Sequence, residues 1–489
     1  MKPIKALGIL FGHNKHEVRK LNWDDKIEKI EAMINGWKKR YFSLFGKITI
    51  IKSLGMSKIA YVASMIETPN LVVQRLNNVF MNFLWGGKRS KIRKEIIVQK
   101  FEKGGLQMIN IDAFIKSLKC RWVNRLVNAG DETWKAIIEH HFREFGGCKL
   151  IFNYNLDKKG LVYITRNMPC FYREVIMNWY KVVRNNDNLN LTPSSIGEQI
   201  IWGNRHLNAG YKSVLFFKEW IESGIIHIAD LFNNGSFIRY NTLLDKLKCK
   251  SNWIVQYIEV KKAIPKTWYR IMCEVSNKIY IRFGRIQLRK RAFNGEYKDM
   301  FDFACKDIYW NIVSNSSVKT YAPKIWKKDC GKDCNWKEIW VEKIKCMPVK
   351  KIAQFNYYLL YNKIPHKENL FKWKIMNNPF CEICKNIEDS KHFLYECKAV
   401  KQFWRKCNNI INQLYRMNVR LLWKHIVYGY RIYCKTFDVF NLILMVATFA
   451  VYKARILERR DIEQIIREEI FYINYNKKNK MLKEFANAL

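Results

Sequence analysis

Apolar residues recur at helical spacing along much of the chain, which predicts a mainly α fold with short β-hairpins. Trp23, Ile27, Ile30, Ile34 and Trp37 form one buried stripe. Asn22 stands where an N-cap would, and Asp24 and Asp25 then fall in the first turn, where carboxylates suit the helix dipole. A second helix is expected over about 47–66. A third follows Thr68-Pro69, because Pro suits the first helical position; Leu76, Phe80, Phe83 and Leu84 line it and Gly86-Gly87 ends it. Residues 88–111 lose the helical period and read as two short strands around Gly104-Gly105. Asp112 then caps a helix carrying Ile115, Leu118, Trp122 and Leu126.

The pattern blurs over 146–325. Residues 161–165 (LVYIT) are strand-like and 233–236 (NNGS) is a turn signal, among short helices of no evident order. Helical spacing resumes at 340–345, 352–361, after Pro365, and at 391–404. Helices over about 438–459 and 461–474 close the chain, the latter opening with Asp461 and Gln464 in a capping-box arrangement. The opening residues 5–12 (KALGILFG) read as a strand entered without a lead-in. The apolar run 440–452 is shorter than the roughly 20 residues of a membrane span.

Cysteine and histidine concentrate in one short segment. Within CEICKNIEDSKHFLYEC, Cys381, Cys384, His392 and Cys397 fall in the order Cys-x2-Cys-x7-His-x4-Cys. Zn²⁺ favours four N/S ligands in a tetrahedron, and a closed Cys₃His set is a structural site with no open position for chemistry. The spacing predicts one structural zinc ion. The competing reading is four residues that meet in sequence by chance.

Charge adds a second signal. The chain has 489 residues, 49% of them hydrophobic, so it can bury a large core. Its 87 Lys+Arg against 43 Asp+Glu give a net charge of +44, which points to a polyanionic partner. Basic and aromatic residues interleave at two places. One carries Lys38, Lys39, Arg40 and Lys47 near Trp37 and Tyr41. The other carries Lys88, Arg89, Lys91, Arg93 and Lys94 after Trp85. These cations are candidate phosphate contacts, with RNA or DNA as the partner. The tryptophans, in phase with buried faces, read as core. No lipidation signal favours a membrane, and no small-molecule substrate is indicated. Fourteen scattered cysteines without a framework outside 381–397, and an apolar start too short for a signal peptide, suggest an intracellular protein of cytoplasm or nucleus.

Catalytic signatures are scarce. Gly46-Lys47 lacks the rest of a phosphate loop, since Ile48 follows it. His13, His16, His140 and His141 read as solvated histidines, and Asp24-Asp25 as helix-start acids.

Together these residues resemble the C-terminal half of LINE-type, non-LTR retrotransposon reverse transcriptases. The resemblance is carried by LGILFG, by a W-x2-[RK]-x-[LF]-S-x2-G-K pattern (Trp37, Arg40, Phe42, Ser43, Gly46, Lys47), and by Phe83-Leu84-Trp85. Gly104-Gly105-Leu106, the Ile364-Pro365-His366-Lys367-Glu368 step and the Cys-x2-Cys-x7-His-x4-Cys knuckle complete it. It implies a remnant post-palm strand over 1–21, a helical thumb-like domain over 22–145 and a connector over 146–335. A C-terminal helical domain over 336–489 follows, with the knuckle in 364–416. The family's Phe/Tyr-Ala-Asp-Asp strand and its endonuclease are not found in this sequence. The expectation is therefore a fragment or truncated product that holds template RNA, primer or target DNA, with no catalytic residues of its own. The missing palm and endonuclease portions would be its partners in a full-length polyprotein. Two other readings remain open: a stand-alone structural or protein-interaction relic with a zinc staple, and an enzyme whose palm is unrecognised.

Overall fold

The computed structural model describes residues 3–128, 133–184, 191–208, 214–233, 235–247, 252–274, 290–291, 297–298, 304–330, 334–430, 437–457, 461–477 and 479–489. The structure is predominantly helical, and among the described residues the strands pair in short antiparallel hairpins such as Ile4–Ala6 with Ile9–Phe11. The chain forms two compact units, each assembled from three stretches. The first comprises Met1–Glu28, Ser57–Leu76 and Asn110–Asn315; the second comprises Lys29–Met56, Asn77–Ile109 and Ser316–Leu489.

The first unit is built around the helices Ile111–Asn128, Cys170–Arg184 and Cys305–Asn315, which pack on one another. Trp179, Trp202 and Trp220 are fully buried in its core. Lys119 lies wholly buried there, paired with Glu174 at 2.8 Å and donating to the Ile66 carbonyl at 3.0 Å. Burial pulls the Lys119 ammonium's pKa down and pushes the Glu174 carboxyl's up.

Several expectations need correction here. Asn22 is not a cap but sits inside the helix Lys15–Lys38, so Asp24 and Asp25 are mid-helix. Its buried carboxamide accepts from the Leu10 amide and donates to the Leu10 carbonyl, both at 2.9 Å. That long-range pairing to the first hairpin outweighs the local preference of Asn for helix ends. Asn14 caps instead, accepting from the Glu17 amide. Asn110, rather than Asp112, caps Ile111–Asn128 by accepting from Ala113. Residues 161–165 are helical within Lys158–Thr165. Asp157 caps that helix at Gly160, and Ile164 and Thr165 face the core, so burial overrides the β-propensity of LVYIT. The expected turn after Phe232 does join a hairpin, Phe232–Asn233 with Ser236–Phe237; its Asn234 lies outside the described residues.

Residues 47–66 form helix as expected but in segments: Ser57–Met65 in the first unit, and Leu44–Ile50 and a π-turn Ile51–Gly55 in the second. The two strands expected in 88–111 are absent among the described residues. A short helix Lys94–Ile97 and a 3₁₀ turn Phe101–Lys103 stand there. Gly104 has φ +78°, and a Cβ there would come within 2.7 Å of the Tyr361 hydroxyl. A Cβ on Gly105 would lie 2.0 Å from the Gln99 carbonyl oxygen. The chain folds back so tightly that Leu106 and Met108 both donate to the Ile97 carbonyl, which leaves no room for a regular ladder.

The core of this unit holds the helices Lys350–Leu360, Phe437–Leu457 and Ile462–Lys477. A final helix, Lys480–Ala488, was not expected from the sequence. Asp461 accepts from Glu463, and no capping box with Gln464 is found among the described residues. The tail of the expected 438–459 helix, 458–459, lies outside them. Val439–Leu457 is long and apolar enough to cross a bilayer by length and composition (mean hydropathy 1.6), contrary to the shorter run read from the sequence. About two thirds of the segment is buried, and Ile443, Leu444, Val446 and Val451 are fully enclosed, the environment of a core helix.

Candidate metal centre and basic cleft

The four sequence-predicted ligands meet. One ligand atom from each of Cys381, Cys384, His392 and Cys397 lies within 4.8 Å of all the others. Cys381 Sγ and Cys384 Sγ are each 3.8 Å from Cys397 Sγ. Tetrahedral zinc with Zn–S bonds of about 2.3 Å requires S···S separations of about 3.8 Å; a disulfide would need about 2.05 Å. Among the described residues this is the one group of three or more His, Cys, Asp or Glu side chains able to hold a metal.

Local structure explains the meeting. Cys381 donates its amide to Asn386 O and accepts from Lys385 N, while Lys385 adopts a left-handed φ of +61°. The chain thus reverses between Phe380 and Ile387, which form an antiparallel bridge. Cys384 Sγ accepts from the Lys398 amide at 3.4 Å. The continuous helix expected over 391–404 is replaced by a π-turn His392–Glu396, a break at Cys397 (ψ 139°), and the helix Lys398–Tyr415. The reason is geometric: positions five apart on an α-helix point about 140° apart. The wider turn, closed by Cys397 N to His392 O at 3.0 Å, brings both ligands to one side.

The donor set fits a metal ion. His392 is buried, and its Nε2 has no hydrogen-bond partner among the described residues. A buried ring nitrogen left unpaired is costly, and a metal would satisfy it. Burial opposes ionisation of Cys381, but the Cys384 and Ile383 amides, His392 and Cys397 outweigh it and bring its pKa to about 7. Burial raises Cys397 to about 11.

A buried frame supports the knuckle. Glu388 pairs with Arg455 at 2.8 Å, and Arg455 also donates to the Phe393 carbonyl and lies 4.4 Å over the Phe393 ring. The Glu388 carbonyl faces His366 Nδ1 at 2.9 Å and accepts from the Glu368 amide. Its carboxylate accepts from the Lys367 amide at 3.2 Å. The Ile364-Pro365-His366 step is thereby bolted to the knuckle. Sequence reading singled out that step but missed Glu388 and Arg455; Arg455 stands 58 residues beyond the last ligand with nothing local to mark it.

The predicted phosphate contacts fall into two sets. Lys38, Arg40 and Lys47 line one cleft of about 570 Å³ with Tyr41, Phe42, Gly86 and Gly87. Tyr41 is wholly exposed, and Arg40 stacks 5.0 Å over Trp37. Lys47 forms the floor: it donates to the Leu84 carbonyl at 3.2 Å, and burial lowers its pKa. Gly86 and Gly87, at φ +65° and +75°, end the helix Asn70–Trp85, with Gly87 N bonded back to Asn82 O. Lys39, Lys88, Arg89 and Arg93 are exposed outside the cleft lining. Lys91 sits 4.5 Å over the Tyr358 ring, and Lys94 donates to Asn77. Trp85 is buried, as expected of a core residue.

Comparison with known proteins bears on the knuckle. A family model described as zinc-binding in reverse transcriptase matches residues 303–404, a span that contains all four ligands. A protein of Arabidopsis thaliana named as a ribonuclease H protein is 20% identical over 130 residues. That match covers 26% of this chain and 21% of the relative, so the similarity spans about a fifth of the relative's length.

Proposed function

We propose that this chain is a zinc-stapled, nucleic-acid-binding segment of a LINE-type reverse transcriptase. It grips RNA or DNA by its backbone and makes or breaks no bond itself. One zinc ion, held by Cys381, Cys384, His392 and Cys397, fixes the knuckle. The observation that carries the reading is the convergence of Lys38, Arg40 and Lys47 on one cleft beside an exposed Tyr41, in a chain of net charge +44. The match to a zinc-binding region of reverse transcriptases supports the family context. The palm and endonuclease of a longer protein would supply catalysis, in an intracellular setting where thiols stay reduced.

A salt titration tests the proposal. Log affinity for an RNA–DNA duplex should fall linearly with log salt, with a slope near −0.9 for each phosphate contacted. Lys38→Glu with Arg40→Glu should flatten that slope by about 2. Affinity independent of salt, or a slope untouched by the double variant, would leave the chain as a structural relic.

A further inference from the structure

The helices Ile462–Lys477 and Lys480–Ala488 enclose a groove of about 890 Å³, within the roughly 300–1,000 Å³ range of ligand clefts. Arg467, Lys480 and Lys483 line it, and no carboxylate is among its lining residues. Arg467 and Lys480 have acids at 4.0 and 3.7 Å, Glu463 and Glu484, but such exposed pairs hold little energy. Phe471 stands in the same wall with 75% of its surface exposed. Asn474 and Asn479 also line it. Their side-chain oxygens are engaged by the Asn479 and Leu482 amides, and no bond from either Nδ2 is found among the described residues.

We infer that this groove is a second nucleic-acid site, one that takes a single strand. Cations to track phosphates, an exposed aromatic face for an unpaired base, and amide donors for base edges are the elements of single-strand recognition. A duplex keeps its bases stacked inside and has no use for the Phe471 face. An acidic peptide would use the cations, but not the combination of aromatic face and amides. The inference rests on the nucleic-acid reading above and goes beyond it in substrate class and place.

The test uses the full zinc-loaded chain, a labelled single-stranded RNA hexamer and a labelled RNA–DNA duplex, read by fluorescence anisotropy. Phe471→Ala removes an exposed side chain and leaves the core intact. It should weaken hexamer binding by about 5- to 150-fold, from the roughly 1–3 kcal/mol of a base–aromatic stack, and leave duplex binding unchanged. Lys480→Glu with Lys483→Glu should weaken the hexamer further. If the wild-type chain binds duplex but Phe471→Ala leaves the hexamer-to-duplex affinity ratio unchanged, the inference fails and the cleft proposal stands. If Phe471→Ala weakens a labelled poly-glutamate and not the hexamer, the groove is a peptide site. If the wild-type chain binds neither nucleic acid, both proposals fall.

Discussion

The knuckle and the basic cleft, both in the second unit, hold their shapes by different means. In the knuckle, four side chains within seventeen residues must reach one point, and the backbone bends to allow it: Lys385 turns left-handed and the helix breaks at Cys397. In the cleft, residues from 38–47 and 82–87 are brought together by ordinary packing and helix ends. Ser43 caps Leu44–Ile50, Lys47 ties to Leu84, and Gly86-Gly87 stops the facing helix. A set of four donor atoms within 4.8 Å of one another therefore specifies the first region almost atom by atom. Charge specifies only the character of the second.

Removing a ligand should separate the two regions most strongly. Cys381→Ser should abolish stoichiometric zinc and unfold at least 364–416, because apparent binding energies of structural zinc are about 10–16 kcal/mol in zinc-finger peptides. Hydrogen exchange should show protection lost there and kept around the first unit's core.

Next in size is Arg455→Met. It leaves the Glu388 carboxylate buried beneath the knuckle without its partner, at a cost of about 3–5 kcal/mol. Denaturant unfolding would read it. A loss under 1 kcal/mol would mean that the frame is incidental.

Acidification should separate the two regions. The Cys381 pKa is about 7, below its ordinary value, so the thiolate's contribution is complete above the unfolded pKa and is lost as pH falls through 7. Cys397, raised to about 11, favours its thiol form, a contribution held below its ordinary value and lost as pH rises through 11. Zinc requires both as thiolates, and each costs about tenfold per pH unit below its own pKa, so zinc affinity should drop by at least about a hundredfold per pH unit below 7 in a chelator-competition titration. Among the described residues, no cysteine lines the basic cleft.

The smallest effect belongs to Gly87→Ala. A Cβ there meets nothing within 4 Å, so only the positive φ is penalised, by about 1–2 kcal/mol. A thermal melt should show a modest drop with zinc content unchanged.

The same contrast explains what the sequence revealed. The ligand spacing, the Phe83-Leu84-Trp85-Gly86-Gly87 helix end and the helical stripes were legible because each depends on neighbours in the chain. Asn22 reads as a cap in sequence because its partner, Leu10, lies twelve residues back in the first hairpin, beyond the reach of local preference. Residues 94–103 read as a strand because Ile96, Ile97 and Val98 form a β-branched apolar run, but that run is buried in a short helix and the tight return at Gly104-Gly105 decides against a ladder. LVYIT became helical through a cap and a core face that propensity does not encode. Of the basic residues, Lys47 proved to be half structural, which composition could not distinguish from Lys38.

The most direct test is the zinc content of the full chain purified without chelator, measured by elemental analysis beside Cys397→Ser. One zinc per wild-type chain and none in the variant is the expected result. A folded wild-type chain without zinc, or a variant that keeps its ion, would contradict it.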